Sequence, residues 1–500
     1  MANHIKVCMT AAEAVPFAKA GGLADVMGAL PRALTERGLD VILMMPRYAV
    51  VDADRFKLER QTEVGEIQIP MGAVSKPMTV WSATEGVPKF NVYFIENPEY
   101  FGREGIYNDP GTGQGYPDNA ERFIFFMKGV LETLKALNWR PDVIHCNDYQ
   151  TGLIPAYIKI LHAQDPFFVD VATVYSIHNL AYQGTYPADV LDLMGFGQEV
   201  FYPMSPFEFW GQVNFMKVGL VFADVLNTVS ERYAEEIQSD PEFGVGLEGV
   251  LRDRTADLYG ILNGVDYTVW SPEVDTLIPY RYSVDDLEGK RKNKQALLER
   301  QGLALSSEDI PLIGMISRLA DQKGFDLISE IADELMGLDL QMVILGTGDR
   351  RYHELFEKLA TRYPTKIGVN LTFNNELAHL IEAGSDMFLM PSRYEPCGLN
   401  QLYSLRYGTV PIVRATGGLA DTIRNYDPAT GEGSGFVFEQ YASVDLLDAV
   451  QRALKTYRMK ETWGQIMRRG MTADFSWAAS AKKYMDLYAK ALTKRRGENV

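Results

Sequence analysis

Short runs of aliphatic and β-branched residues alternate with stretches of helical period along most of the chain. In the first half the clearest strand-like runs are 5–9, 41–45, 142–145, 173–177, 225–228 and 259–262. In the second half they are 312–317, 342–345, 368–371, 387–390 and 410–413. Helical stretches fall at 26–37 and 120–137, then near 325–336, 350–362, 375–383 and 398–407, with a final one over 477–494 for which Ser476 is the candidate N-cap. Strands joined through helices need crossover connections, so they lie parallel with helices on both faces. Such sheets bind ligands outside the carboxyl ends of their strands, where the strand order reverses. Two stretches break the pattern. Residues 52–119 read as irregular with β-rich pieces, and residues 183–215, dense in Pro, Gly and aromatic side chains, read as an extended insertion that is a lid or part of an acceptor site. Residues 270–286, with Pro272 and Pro279, look like the connection between two lobes.

Five hundred residues with 46% hydrophobic and 23% charged content suit two or three globular domains. The formal charge of −17 argues against a nucleic-acid partner and against an anionic membrane surface. It leaves room for an anionic substrate met by a local group of Arg and Lys. Cys8, Cys146 and Cys397 are odd in number and lack C-x-x-C spacing, which points to a reducing compartment, by default the cytoplasm. No apolar run approaches the roughly 18 residues of a membrane span, and 4–9 already read as a first strand rather than a signal peptide. The basic run Lys494-Arg495-Arg496 is expected to be a solvated tail.

One pentapeptide occurs twice. Gly21-Gly22-Leu23-Ala24-Asp25 returns as Gly417-Gly418-Leu419-Ala420-Asp421, each time after a strand-like run and at the start of a helix, the second expected over 421–424. Paired glycines let backbone N–H groups approach a ligand, and a helix N-terminus adds partial positive charge. Two ordinary tight turns would look the same; two copies suggest two similar lobes facing one ligand. Lys19 precedes the first copy, where a cation meets a phosphate or an acceptor hydroxyl, or is simply solvated.

Further polar groups gather at strand ends. Arg318 and Lys323 lie in the loop 317–324, between a strand and a helix, where they either converge on one anion, such as a leaving diphosphate, or are surface charges. Glu395, in Ser392-Arg393-Tyr394-Glu395-Pro396-Cys397-Gly398-Leu399, can hold sugar hydroxyls or cap a helix, and the amides at Gly398 and Leu399 can hold a hydroxyl or phosphate. His145-Cys146-Asn147-Asp148 and Ser176-Ile177-His178-Asn179 end two strands of the first half and would face the same edge. Gly346-Thr347-Gly348 is a tight turn placed to touch a nucleotide. Asp52-Ala53-Asp54, the only D-x-D, sits in a polar loop beside Arg55 and reads as a decoy for a metal site. No P-loop and no H-E-x-x-H is present. No metal and no cofactor are expected.

Six motifs in order carry a resemblance: Lys19-Ala20-Gly21-Gly22-Leu23-Ala24-Asp25, His178-Asn179-Leu180-Ala181-Tyr182-Gln183-Gly184, Ile261-Leu262-Asn263-Gly264-Val265-Asp266, Ser317-Arg318-Leu319 with Gln322-Lys323-Gly324, Glu395-Pro396-Cys397-Gly398-Leu399, and Thr416-Gly417-Gly418-Leu419-Ala420-Asp421. Together they resemble bacterial glycogen synthase and plant starch synthase over nearly the whole chain. The resemblance implies an α/β GT-B fold, two Rossmann-like doubly wound lobes facing a deep cleft. It divides the chain into an acceptor lobe (1–268), a nucleotide-sugar lobe (269–476) and a C-terminal helix (477–500) that crosses back to the first lobe. It implies a hexosyltransferase that moves glucose, with retention, from ADP-glucose to the non-reducing end of an α-1,4-glucan. The alternatives are a UDP-glucose-using synthase or a non-catalytic glucan-binding homologue.

Carried over to this chain, Arg318 and Lys323 would meet the donor phosphates, and Glu395 with the amides after Cys397 (Gly398, Leu399) would hold the glucose. Asp148, His178 and Asn263 would face that glucose, and Phe373 would stack on adenine. Lys19, Gly21, Gly22 and Asp25 would belong to the first-lobe substrate loop, and Thr416, Gly417 and Gly418 to the second. Arg318, Lys323, His178, Glu395 and Asp148 are the expected catalytic set. Ala20 departs from the usual Thr, Ser or Val, and Asn400 from the Thr of many bacterial members. A nicotinamide oxidoreductase would need G-x-G-x-x-G directly after the first strand, whereas here no glycine follows Met9 until Gly21. A glucan phosphorylase would need a pyridoxal-bearing lysine, for which no specific signal is found. Oligomeric state is not encoded in any motif.

Overall fold

The computed structural model describes residues 5–83, 90–304, 307 and 310–497; His4, included in the first-strand reading, lies outside them. The chain forms two compact units. One comprises residues 1–229, 234–264 and 477–500, the other 230–233 and 265–476. The divide therefore falls after Gly264 rather than after residue 268. Val265 donates its N–H to Phe475 O at 2.7 Å, which ties 265 onward to the second unit.

The first unit is built on a sheet whose parallel core contains β1 (Lys6–Thr10), β2 (Asp40–Pro46), β3 (Asn91–Glu96), β4 (Val143–Asn147), β5 (Ala172–Ile177), β6 (Val225–Thr228) and β7 (Leu258–Gly260). Their order is β7-β6-β5-β4-β1-β2-β3, and antiparallel strands from 58–83 extend the β3 edge. Both faces of this core are covered, so its strands read as near-continuous apolar runs. Helix α1 (Gly22–Thr35) turns its apolar side inward at Leu23, Val26, Met27, Leu30 and Leu34, and helix α2 (Asn119–Ala136) does so at Phe123, Met127, Val130 and Leu134. The C-terminal helix Trp477–Arg496 belongs to this unit: Tyr488 OH lies 2.9 Å from His145 Nδ1 and Ser480 Oγ donates to Leu262 O at 2.7 Å. Its last turn is not a solvated tail. Lys494 pairs with Asp257 at 2.5 Å and Arg496 with Asp142 at 2.8 Å, cations placed where the helix carbonyls leave negative charge. The insertion 183–215 forms a small sheet from Thr185–Tyr186, Glu208–Phe209 and Gln212–Asn214.

Among the described residues the second unit holds six parallel strands: β8 (Leu312–Ile316), β9 (Gln341–Leu345), β10 (Ile367–Asn370), β11 (Met387–Met390), β12 (Val410–Arg414) and β13 (Phe436–Phe438). Their order is β10-β9-β8-β11-β12-β13. The stretch 270–286 is part of this core rather than a loose connection. Trp270 stacks between His379 and Tyr403 with centroids 3.7 and 4.0 Å away, and buried Asp275 accepts from Tyr407 OH at 2.5 Å and contacts His379 Nδ1 at 2.7 Å. Among the described residues no helix is long and apolar enough to cross a membrane.

Candidate functional site

Strand order locates the switch point of each sheet. In the second unit the chain runs outward from β8 through β9 to β10, then jumps back to the other side of β8 to lay down β11. All six strands are parallel, so every loop that follows one lies at the same edge. The crevice between the ends of β8 and β11 is thus formed by 317–324 and 391–399, the two segments singled out by their charges.

Those loops are stitched together. Gln322 Nε2 donates to Tyr394 O at 3.2 Å, and Arg393 N donates to Gln322 O at 2.9 Å. Lys323 Nζ lies 2.6 Å from Glu395 Oε2, which also accepts from Ser392 Oγ at 3.1 Å. The Glu395 side chain is 7% exposed and that of Lys323 21%. Arg318 Nη2 reaches Gln322 Oε1 at 3.5 Å from an otherwise exposed position. Gly324 ends the loop at φ 73°, and a Cβ there would lie 1.9 Å from Pro391 O, so only glycine lets the loops meet and helix α3 (Phe325–Glu330) begin. Asn400, at the start of α4 (Asn400–Arg406), donates Nδ2 to Ile316 O at 2.6 Å. Phe373, in the loop after β10, is 79% exposed at the same edge. The Gly346 and Gly348 turn packs against Ser317 O and Leu319 O, an approach that explains its glycines without a ligand.

The second glycine pair serves this crevice in the same way. Helix α5 runs over Gly417–Thr422, four residues ahead of the expected 421–424 start, with buried Thr416 before it. A Cβ on Gly417 would sit 2.0 Å from Glu395 O, and one on Gly418 2.0 Å from Cys397 O. Gly418 N donates to Glu395 O at 3.1 Å. The glycines thus press α5 against the Glu395–Cys397 backbone, and Cys397 is buried.

In the first unit the switch point lies between β1 and β4, at the loops 11–21 and 148–152. Gly21 N donates to Glu13 Oε2 at 2.8 Å and Ala20 N at 2.5 Å, while Tyr107 OH donates to Glu13 Oε1 at 3.0 Å. Burial raises the Glu13 pKa, and these three hydrogen bonds only partly offset it. Glu13 was missed from sequence. Its signal was an acid in an otherwise apolar run, Ala11-Ala12-Glu13-Ala14-Val15, directly after a strand. Gly22 begins α1, and Lys19 Nζ pairs with Asp25 at 2.7 Å. Burial pushes Asp25 up against the lowering effect of Lys19.

Asp148 follows β4 with a left-handed φ of 56°, unfavourable for a residue with a Cβ. Its Oδ1 accepts from His178 N at 2.8 Å. Burial nevertheless pushes the carboxyl up to about 7, with Glu13 adding to the rise. His178 Nε2 lies 2.9 Å from Asn147 Oδ1. Asn147 Nδ2 donates to Thr10 O at 3.0 Å, which fixes the amide, so His178 carries its proton on Nε2 and leaves Nδ1 an acceptor. Burial holds His178 down at about 4, neutral at physiological pH. His145 does not reach this edge; it is fully buried between Ser176 and Tyr488 and held at about 3 by desolvation. Asn263, after β7, is buried, and its Oδ1 has no hydrogen-bond partner among the described residues. Asp52 accepts from Asp54 N at 2.9 Å and Arg55 N at 3.0 Å, a local turn.

The structure thus gathers Lys19, Gly21, Gly22 and Asp25 at one loop of the first unit and Asp148 with His178 at its neighbour. In the second unit it gathers Arg318, Lys323, Glu395, Cys397, Gly398, Leu399, Thr416, Gly417 and Gly418 at one edge.

Comparison with known proteins agrees. Residues 6–253 match the family model described as starch synthase catalytic domain, and residues 301–469 match glycosyl transferases group 1. The glycogen synthase of Desulforudis audaxviator is 49% identical over 98% of this chain and 97% of its own length. That of Moorella thermoacetica is 46% identical over 99% of each. Among solved structures, the catalytic domain of starch synthase IV from Arabidopsis thaliana, bound to ADP and acarbose, superposes with a TM-score of 0.89 at 32% identity, covering 98% of this chain and 100% of that one. Sucrose-phosphate synthase from Thermosynechococcus elongatus, at 17% identity and a TM-score of 0.59 over 97% of this chain and 98% of that one, shares the fold alone. Fold and site define a two-domain α/β glycosyltransferase of the GT-B class. Within that class, full-length identity near one half places the chain in the glycogen synthase family.

Proposed function

We propose that this enzyme transfers glucose from ADP-glucose to the non-reducing end of an α-1,4-glucan with retention of configuration and without a metal ion. The Lys323–Glu395 ion pair, 2.6 Å long at the switch point of the second sheet, carries this assignment. A cation there meets the donor diphosphate, while the carboxylate beside it and the amides of Gly398 and Leu399 hold the glucose. The relative bound to ADP and acarbose supports a nucleoside diphosphate and a maltooligosaccharide-like ligand.

In the reaction the bond from C1 to the β-phosphate oxygen breaks as the acceptor O4 attacks C1. The acceptor proton passes to the departing phosphate. Arg318 and Lys323 stabilise the charge that grows on that oxygen more than they stabilise the bound donor, so they act on kcat. Glu395, Asp148 and Glu13 are each engaged by hydrogen bonds from the protein, which supports attack from the departing face over a covalent glucosyl-enzyme. Neutral His178 and Oδ1 of Asn263, unpartnered among the described residues, offer polar contacts to sugar hydroxyls in the first unit. The test is transfer to glycogen from labelled ADP-glucose and UDP-glucose side by side, with and without EDTA. Absence of transfer from ADP-glucose would refute the activity. A preference for UDP-glucose would refute the donor, and loss in EDTA restored by Mn²⁺ the metal-free step.

A further inference from the structure

The insertion at 183–215 ends in a hairpin that spends conformational freedom on display. Glu208 pairs with Val213 and Phe209 with Gln212, leaving a two-residue turn of Trp210 and Gly211. Both turn residues have positive φ, 52° and 79°. That turn favours Asn-Gly or Gly-Gly, because a bulky side chain in the left-handed region is disfavoured. The turn is nonetheless firmly held: the Glu208 carboxylate accepts from Gly211 N at 2.8 Å and from Met204 N at 3.1 Å. Trp210 is 84% exposed, so its indole adds nothing to the core.

Beside the hairpin lies a cavity of about 410 Å³. Tyr149, Tyr182, Gln183, Thr185, Tyr186 and Phe209 are among its lining residues. Val245, a β-branched residue in the left-handed region at φ 48°, also lines it, its carbonyl held by Gln183 Nε2 at 3.0 Å. Gly246, next in sequence, brings Phe209 and the Trp210 indole nitrogen together: a Cβ there would lie 3.0 Å from the Phe209 ring and 3.6 Å from Trp210 Nε1. Gly184 lets the Tyr149 ring close against the backbone, since a Cβ there would lie 2.2 Å from it. None of the lining residues is Asp, Glu, Lys, Arg or His.

Aromatic faces, phenolic hydroxyls and one amide, without ionisable charge at neutral pH, suit a neutral ligand that has both apolar faces and many hydroxyls. A pyranose ring is such a ligand: its axial C–H bonds form an apolar face that lies flat on an aromatic ring, and its hydroxyls project outward to hydrogen-bond. Tyr149 is adjacent in sequence to Asp148, and Tyr182 lies four residues after His178, which joins this cavity to the first-unit groups assigned above. We propose that the Trp210 hairpin and the cavity beside it form a binding platform for several units of an α-1,4-glucan chain. The assignment rests on the acceptor proposed for the enzyme, and a direct binding measurement separates the two.

The variant is Trp210→Asn, chosen because asparagine is favoured in that turn and leaves the hairpin able to fold. Tyr182→Ala is the second variant. Retention of each protein in native gels containing glycogen reads binding without catalysis. Steady-state transfer with glycogen and with maltotriose reads its kinetic effect, and the KM for the donor serves as an internal control. Both variants should lose most of their glycogen retardation, and KM for glycogen should rise about tenfold, several-fold more than KM for maltotriose. Retardation equal to that of the parent protein in both variants overturns the platform. Equal losses with glycogen and maltotriose also overturn it, since they would place these rings at the transfer point. A parent protein that binds glycogen through Trp210 but transfers no glucose would refute the activity and leave the platform standing.

Discussion

Replacing Lys323 with Gln removes the ammonium at the β8–β11 crevice and keeps a side chain of similar reach. Two consequences follow from the geometry and separate from each other. The Glu395 carboxylate, 7% exposed, keeps Ser392 Oγ but loses its partner at 2.6 Å. Breaking a fully buried pair costs about 3–5 kcal/mol. Because the Lys323 side chain is 21% exposed, water screens part of that, and a loss of roughly 2 kcal/mol is expected. The second unit should melt a few degrees lower. The catalytic loss is independent of this. By analogy with removal of one oxyanion donor, kcat should fall roughly a hundred- to a thousand-fold, about 2.7–4 kcal/mol of transition-state stabilisation. ADP should also bind more weakly, as it carries the same phosphates. The double variant Lys323→Gln with Glu395→Gln no longer strands a charge, so its stability should return toward that of the parent while its rate does not. Lys323→Arg should not rescue fully, since a planar fork does not replace a compact ammonium in a slot closed by Glu395 and Ser392. The assay is steady-state transfer from ADP-glucose to glycogen, with thermal unfolding followed by circular dichroism. A folded Lys323→Gln protein with near-normal kcat refutes the role assigned to the pair.

Arg318→Ala should cost a similar factor in kcat, and the Arg318/Lys323 double variant less than the product of the singles, because both cations act on one group; steady-state rates test this. Replacing both Asp52 and Asp54 with Asn should leave transfer in EDTA unchanged, since Asp52 caps a local turn; loss of transfer in that variant would refute the decoy. Gly418→Ala should fail to fold or lose most activity, as its Cβ would lie 2.0 Å from Cys397 O, and soluble yield with transfer rate decides. Acid should destabilise the first unit. His145 and His178, held at about 3 and about 4 by burial, bind fewer protons when folded than unfolded near pH 5, whereas Asp148, pushed up to about 7, binds more. For these three groups, two protons against one give a contribution that falls by about 1.4 kcal/mol per pH unit near pH 5.5, which Glu13 and Asp25, also raised by burial, oppose and His162, lowered, adds to. Asp148→Asn removes one opposing proton, so the slope should steepen by about 1.4 kcal/mol per pH unit, as measured by urea unfolding at pH 5 and 6.5; an unchanged slope would contradict the burial of Asp148.

The parallel cores were legible because both faces are covered, which turns strands into apolar runs. The runs at 225–228 and 387–390 were placed to the residue. The missed pieces had weaker local signals. Strand β13 is three residues long, and helices Ser443–Tyr457 and Lys460–Thr472 escaped notice although their buried faces are periodic. The stretch 270–286 misled because prolines suggest a linker, whereas Trp270 acts through partners more than a hundred residues away. The candidate site was legible where charges cluster at strand ends. Glu13 was not, since what marks it is the pair of amides from Ala20 and Gly21 that fold back onto it.

The repeated pentapeptide shows where sequence likeness stops short of physical likeness. At the first copy, Gly21 has an extended backbone, φ −145° and ψ −166°, and space for a Cβ, with Glu13 the nearest group at 3.7 Å. Its amide matters because it donates to a buried carboxylate, and an alanine would preserve that bond. At the second copy, Gly417 has φ 42° and both glycines lie within 2.0 Å of backbone carbonyls, measured from where a Cβ would be. No other residue fits. Position 21 therefore tolerates a side chain and shapes its loop through hydrogen bonding, while the second copy excludes side chains and sets the position of Glu395 through contact. Gly21→Ala should accordingly fold and retain measurable transfer, whereas Gly417→Ala should displace the Glu395 backbone and abolish it. Equal damage from the two changes would mean that the first loop, too, is shaped by close contact with something other than Glu13.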